Sequence, residues 1–313
     1  MKIAVTGASG FIGGVIASAL AMPELEHEVV GYGRTPGGWA YRSQVADASH
    51  YRIWDVSRGR LRSVATVDAV VHCAALADDW APLDAALRVN RDGTRNVVRS
   101  FPAARIVHLS TSSVYDPFVP TVNAHESAGP SARFLSSYSQ SKAAAEAELI
   151  GTDAVILRPH AVYGPGDTTL LPRLLAGIRR GRLRLPEGAE VDHTLTHIDN
   201  LVAAVILALD PAAAAGVYNV GDDAPVRLSA VLTELLAKKG RSDVTLRRIP
   251  YGAAFALASA VELGHRASRQ GRPRVTRYAV SQLGLERTLD LTAAREQLGY
   301  HPRATSLTGA ERW

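Results

Sequence analysis

Cys73 is the only cysteine in the chain. That excludes an internal disulfide and a cysteine-built cluster, and no metal site is expected. No apolar run reaches the roughly 18 residues of a membrane span, and no apolar leader precedes the first strand-like segment. The chain is therefore expected in the cytoplasm. Lysine is scarce, and the formal charge of +5 rests on arginine. No helix–turn–helix, zinc-finger or RNP pattern accompanies that charge, which argues against nucleic acid as a partner. Internal repeats and a clear linker are also missing. What remains is an ordinary globular composition, 47% apolar and 21% charged over 313 residues, enough for one large core or two.

The most informative stretch is Thr6-Gly7-Ala8-Ser9-Gly10-Phe11-Ile12-Gly13, set between the apolar run Ile3-Ala4-Val5 and a predicted helix over Phe11–Leu20. Gly7 can take a positive φ for a tight turn, and Gly10 has no Cβ to keep a pyrophosphate from the backbone. Gly13 lets the helix lie close to the strand. The free N–H groups of the first helical turn, around Ser9, Phe11 and Ile12, would face the phosphates. The spacing is GxxGxxG, and by itself it also fits a plain tight connection.

Further strands are predicted at Glu28–Tyr32, Tyr51–Trp54, Asp68–His72, Arg105–Ser110 and Ala154–Arg158, with a loop from the fifth strand to about Leu135. Helices are predicted over Pro82–Arg99 and Ser136–Leu149, then over Leu170–Arg180, Leu201–Leu209 and Leu228–Lys239, with a strand at Val217–Val220. This alternation predicts an α/β fold, a doubly wound parallel sheet with helices on both faces. The looser second half would add a small lobe over its edge.

Tyr138 and Lys142 stand at i and i+4 near the start of one of these helices, so ammonium and phenol share a face. A phenol titrates near 10 in water, and a nearby cation favours the phenolate. Tyr138 is then a candidate proton donor or acceptor for a carbonyl/alcohol pair. Ser110-Thr111-Ser112-Ser113 places hydroxyls at the carboxyl edge of the sheet, where doubly wound folds bind ligands. Asn90 interrupts the apolar face of the Pro82–Arg99 helix, either as a satisfied core residue or to fix the site. Asp55 either accepts from an adenine amino group or caps the helix beginning near Ser57. Arg34 ends the second strand where a carboxylate would hold a ribose 2′-hydroxyl. An arginine there pairs instead with a 2′-phosphate, so NADP(H) is expected over NAD(H).

Together TGASGFIG, Asp55, His72-Cys73-Ala74-Ala75, the Asn90 helix, STSSVY, YSQSK and LRPHAVYGPGD resemble, in order over residues 1–220, the extended short-chain dehydrogenase/reductase superfamily. The resemblance implies a Rossmann domain from residues 1–165 and about 195–222. A smaller, partly discontinuous C-terminal substrate lobe would come from residues 166–194 and 223–313. It implies Thr111 as the catalytic hydroxyl, with Ser112 its neighbour, and Tyr138 and Lys142 as the catalytic pair. Lys142 would also hold the nicotinamide ribose. Asp55 with Val56, Ala74 and Ala75, and Pro159 with His160 would line the cofactor. His197-Ile198-Asp199-Asn200 matches a structural segment. Members of the superfamily are often homodimers through a four-helix face, which here would use Pro82–Arg99 and Ser136–Leu149.

The departures bear on substrate. Nucleotide-sugar members commonly carry asparagine where this chain has Ala161, and a phosphate-binding arginine where it has His193; dehydratases carry Asp-Glu where it has Ser112-Ser113. Arginines 173, 179, 180, 182 and 184 offer substitute charge. Tyr251–Leu263 is almost wholly apolar and precedes the basic run His265–Arg274. It reads as a core helix, a lid over an apolar substrate or a membrane-surface helix. With the tail that follows, it resembles the 3β-hydroxysteroid dehydrogenase-like reductases. The expected activity is NADPH-dependent reduction of a hydrophobic ketone, a small-molecule substrate, or the reverse oxidation. A nucleotide-sugar 4-epimerase or 4-ketoreductase with the same site is the alternative. A non-catalytic NADPH sensor is the third reading, which the intact Thr111, Tyr138 and Lys142 disfavour.

Overall fold

The computed structural model describes residues 1–36, 50–168, 170–268 and 271–313. Seven apolar segments form one parallel sheet, in spatial order Gly216–Val220, Val155–Pro159, Arg105–Leu109, Ala69–His72, Lys2–Thr6, Glu28–Gly33 and Tyr51–Ile53. Parallel neighbours require crossover connections, and helices supply them on both faces. Alternate residues of one strand therefore serve two cores. Ile3 and Val5 pack with Ile16, Leu20, Leu201 and Val205. Ala4 packs on the other face with Val70, Ile106, Trp54, Val97 and Leu149. The spatial order reverses between Lys2–Thr6 and Ala69–His72, and at such a switch point the carboxyl ends of the strands open into a crevice.

The first helix runs Phe11–Leu20 as expected, and the six strands expected before residue 160 form within a residue or two of their expected bounds. Three expectations need correction. The helix over 82–99 is two α-helical pieces, Leu83–Leu87 and Gly93–Ser100, joined by a π-helical turn at Arg88–Asp92. That turn holds Asn90, and such insertions re-aim side chains. The loop after Ser110 contains a strand, Thr121–Ala124, whose partner is Arg287–Leu289. The helix expected to reach Arg180 stops at Ala176.

The second half builds a smaller layer. A four-stranded sheet runs Val226–Arg227, Asp192–His193, Arg287–Leu289, Thr121–Ala124, and Arg182–Pro186 pairs with Thr245–Ile249. The chain crosses back at His197–Asn200. There buried Asp222 accepts from the His197 N–H and the Asn200 amide, both at 2.7 Å. Helix Tyr251–Ala267 buries only Ala254, Ala258 and Glu262, while Leu257 and Leu263 stay exposed. It is a surface helix and not a core one. Among the described residues no helix is long and apolar enough to cross a membrane. Two residues of the basic run that follows, 269 and 270, lie outside those described.

The two layers are fastened beside the crevice. Asp79, buried, accepts from Thr276 Oγ1 at 2.9 Å and pairs with Arg272, with Arg173 3.6 Å away.

Candidate functional site

The glycine turn has the expected construction. Gly7 has φ +70°, and a Cβ there would lie 2.8 Å from the Ala74 nitrogen; one on Gly13 would lie 2.3 Å from the Gly7 carbonyl oxygen. Gly10 gives the helix no side-chain cap, so the N–H groups of Phe11 and Ile12 have no acceptor inside the helix. Ser9 and Gly10 are exposed. A turn with only small side chains, ending in donors the helix leaves unpaired, fits a pyrophosphate.

Beyond the turn, Arg34, Ile53, Asp55, Arg58 and Arg60 line a cleft of about 570 Å³. Both readings of Asp55 had a basis, and the cap is realised: its Oδ1 accepts from Ser57 N at 3.0 Å and from Ser57 Oγ at 2.7 Å. Burial opposes ionisation of Asp55, yet those bonds, with Arg58 and Arg34, hold its carboxyl below the usual range. The Val56 side chain is buried against Gly93.

At the carboxyl ends of Ala69–His72, Arg105–Leu109 and Val155–Pro159 the structure brings together Thr111, Ser112, Tyr138, Lys142, Asn90 and His160. Tyr138 and Lys142 stand on helix Ser137–Ala147, which is capped by Ser136 accepting from Ser139 N at 3.1 Å. Asn90 does more than satisfy the core. Its Oδ1 accepts from Leu76 N at 2.7 Å, and its amide donates to Ser141 Oγ at 2.8 Å. It thus ties the loop beneath Gly7 to the Tyr138–Lys142 helix. His72 braces the same loop. Thr94 gives its proton to the Asn90 carbonyl (2.6 Å), so His72 Nε2 must donate to Thr94 and Nδ1 must accept from Thr6. Burial holds His72 neutral, with its pKa down at about 3.

One electrostatic expectation fails. Burial raises the Tyr138 phenol above its usual value, and only a hydrogen bond with Thr111 acts to lower it. Lys142 does not, because its ammonium is spent elsewhere. It donates to the Leu109 carbonyl and lies 3.3 Å from His108 Nε2. Burial depresses Lys142 to about 8, against the opposing pull of Glu146 and Cys73.

Three features of the site escaped the sequence reading, and a fourth, His193, was named there only as a departure from the nucleotide-sugar pattern. Glu146, four residues beyond Lys142, holds buried Arg158 through two contacts at 3.0 and 2.7 Å and accepts from Ser110. Its signal was the same i, i+4 spacing that singled out Lys142. His193 belongs to the site: Ser112 Oγ is 2.9 Å from His160 Nδ1, and His160 Nε2 is 3.1 Å from His193 Nδ1. Tyr278, from the smaller layer, lies close to Ser113 and Tyr138. Arg287 reaches the same region with its buried Nε unpartnered. Of the arginines offered as substitute charge, 179, 180, 182 and 184 are exposed, and Arg173 turns to Asp79. Among the described residues no group of His, Cys, Asp and Glu could hold a metal ion.

A family model described as the NAD dependent epimerase/dehydratase family matches residues 3–221. A 2-alkyl-3-oxoalkanoate reductase of Stenotrophomonas maltophilia is 30% identical, with 100% of this chain and 98% of that protein covered. A 4-hydroxy-2-methyl-3-oxo-4-farnesyl-3,4-dihydroquinoline-1-oxide ketoreductase of Stigmatella aurantiaca is 31% identical, with 99% and 95% covered. The solved UDP-glucuronic acid 4-epimerase of Bacillus cereus in complex with NAD covers 99% of this chain and 94% of its own, with TM-score 0.70 and 22% identity. At that identity it shows the fold alone.

Proposed function

We propose, for a chain that belongs to the NAD dependent epimerase/dehydratase family and is an NAD(P)-dependent oxidoreductase, that it reduces the ketone of an apolar 3-oxo acid with NADPH. The observation that carries the reading is the placing of Tyr138 beside Thr111 at the carboxyl edge of the sheet, on one helix with Lys142. The substrate class rests on the relatives named for ketone reduction and on His193, which bonds to His160 where a phosphate-binding arginine would stand.

Bound nicotinamide supplies the hydride. The Gly7–Gly13 turn would hold the pyrophosphate, and Arg34 and Asp55, which line one cleft, would take the adenosine end, with Arg34 pairing with a 2′-phosphate. A phenol keeps its proton at neutral pH, and burial raises Tyr138 further, so the phenol is the acid that gives a proton to the new alkoxide. Thr111 orients that phenol and shares the substrate oxygen. Lys142, anchored on the Leu109 carbonyl, stands near the carboxyl end of the strand for the nicotinamide ribose. Ser112, held by His160, limits where the nicotinamide and ketone can sit. We read the seven-stranded sheet as the cofactor domain and the second-half strands as the substrate lobe. A homodimer through the Pro82–Arg99 and Ser136–Leu149 helices in the cytoplasm is part of the same proposal.

The test is turnover with NADPH and with NADH on an apolar 3-oxo ester, a steroid ketone and UDP- and dTDP-4-keto sugars. NADPH oxidation with the apolar ketones and none with the sugars is the expected result. Turnover confined to a nucleotide sugar would overturn the substrate class. Full biological effect from a Tyr138→Phe variant that turns over nothing would overturn the enzymatic role.

A further inference from the structure

One side of the crevice is built by residues that hydride transfer does not use. Helix Arg277–Gly284 begins with Thr276 as its cap, and Thr276 is also the residue that bonds Asp79. That fastening brings Tyr278 against Ser113, two residues from Thr111, whose hydroxyl donates to Ser113 at 3.1 Å. The hydroxyls thus run Tyr138, Thr111, Ser113, Tyr278 along one wall.

Arg287 lies near Tyr278. Its Nη1 donates to Val119 O at 2.9 Å and Thr121 Oγ1 at 2.6 Å, and its Nη2 to Ser281 Oγ at 2.7 Å. These partners are all neutral. Among the described residues no carboxylate is within ion-pair distance of it, since neighbouring Asp116 is taken by Arg133. A buried guanidinium without a counter-charge is costly. Among the described residues one buried nitrogen here, Arg287 Nε, also lacks a partner. His193 and Arg287 are register partners on adjacent strands, so their side chains leave the same face. The one acid near Tyr278, Asp79, is already neutralised by Arg272.

We propose that Tyr278, with the Arg287 charge near it, binds the carboxylate of the substrate while Tyr138 and Thr111 hold its ketone oxygen. This rests on the reductase reading and assigns the residues that recognise the acid group of its 3-oxo acid. A neutral ketone would leave the Arg287 charge unanswered. A carboxylate accepts from Tyr278 in a charge-assisted bond and faces a cation instead of water.

The experiment runs in the oxidative direction, because a 3-hydroxy acid does not lose carbon dioxide as a 3-oxo acid does. Wild type and Tyr278→Phe are compared with NADP⁺ on a 2-alkyl-3-hydroxy acid and on the secondary alcohol that lacks only its carboxylate. Tyr278→Phe should lower kcat/KM for the acid by about 10- to 100-fold, chiefly through KM, as expected for a lost hydrogen bond to a charge. The plain alcohol should change by less than about two-fold. Equal losses on both compounds, or none on either, would overturn the proposal and leave the reductase reading standing. If wild type oxidises neither, the reductase reading falls. Calorimetric binding of a long-chain fatty acid and of its methyl ester then decides the subsite. Preference for the acid that Tyr278→Phe abolishes supports it, and equal binding by both proteins refutes it.

Discussion

Lys142 offers the sharpest test of the site's physics, because its charge is buried without a carboxylate at contact distance. Its side chain is 2% exposed, and its partners are the Leu109 carbonyl and His108 Nε2. In the unfolded chain the ammonium titrates at 10.5; in the fold it does so at about 8. Below the lower value both states are charged, and the native state bears the whole burial cost. As pH rises through 8, the native state sheds a proton that the unfolded chain keeps, so stability rises with pH in that window. From pH 7 to 9 linkage gives about 1.3 kcal/mol, and the limit above 10.5 is about 3 kcal/mol. Cys73 acts in the opposite sense. Burial holds its thiol up at about 12 against 9.0, so its contribution falls as pH rises. The comparison of wild type with Lys142→Met, without nucleotide, isolates the lysine. In urea melts at pH 7 and pH 9, the wild type should gain about 1.3 kcal/mol on the variant. Equal pH dependence in the two proteins would refute the buried-charge reasoning. A wild type that loses ground to the variant as pH rises would mean the ammonium is stabilised where it lies.

Two further outcomes follow from the geometry. Arg34→Ala should weaken NADPH binding by about ten-fold or more, with NADH changed by less than about two-fold, as for loss of one charge-assisted phosphate contact. Fluorescence titration at two salt concentrations checks it; equal losses for both nucleotides would remove Arg34 from the 2′-phosphate. Glu146→Gln leaves the Arg158 guanidinium buried without its charge partner, and should destabilise by about 3–5 kcal/mol. Glu146→Gln with Arg158→Met should recover much of that in the urea midpoint; additive losses would show that the pair is not a unit.

The cofactor end was legible because its physics is local. A turn that needs a positive φ at Gly7 and no Cβ at Gly13 must be written in consecutive residues, and so must an i, i+4 pair. The seven strands were nearly as clear, since buried parallel strands read as short apolar runs. The other wall was not legible. Tyr278 meets Ser113 across 165 residues, and Thr121–Ala124 becomes a strand only through Arg287–Leu289. Nothing near either residue in sequence marks it. The i, i+4 rule also misled over Lys142. It gives which face a side chain shares, and the Leu109 carbonyl within reach decided where the ammonium went.

Ala161 ties local backbone to substrate class. Its φ is +45°, a left-handed conformation that costs an alanine roughly 1 kcal/mol or more and that asparagine or glycine adopts readily. Nucleotide-sugar members commonly place asparagine here, and the backbone alone would favour it. A chain that keeps alanine forgoes that relief at the position where the amide would meet a sugar. Ala161→Gly should therefore reverse the usual sign. In a helix that change costs about 1 kcal/mol; here it should be neutral or stabilising by up to about 1 kcal/mol, since relief of strain offsets the added freedom of the unfolded chain. Ala161→Asn should be equally tolerated and should confer no turnover of a UDP- or dTDP-4-keto sugar, because the arginine position is filled by His193 in its bond to His160. A loss of about 1 kcal/mol in Ala161→Gly would show that the left-handed turn carries no strain. Sugar turnover by Ala161→Asn would show that one amide, and not the His193 exchange, had excluded the sugar.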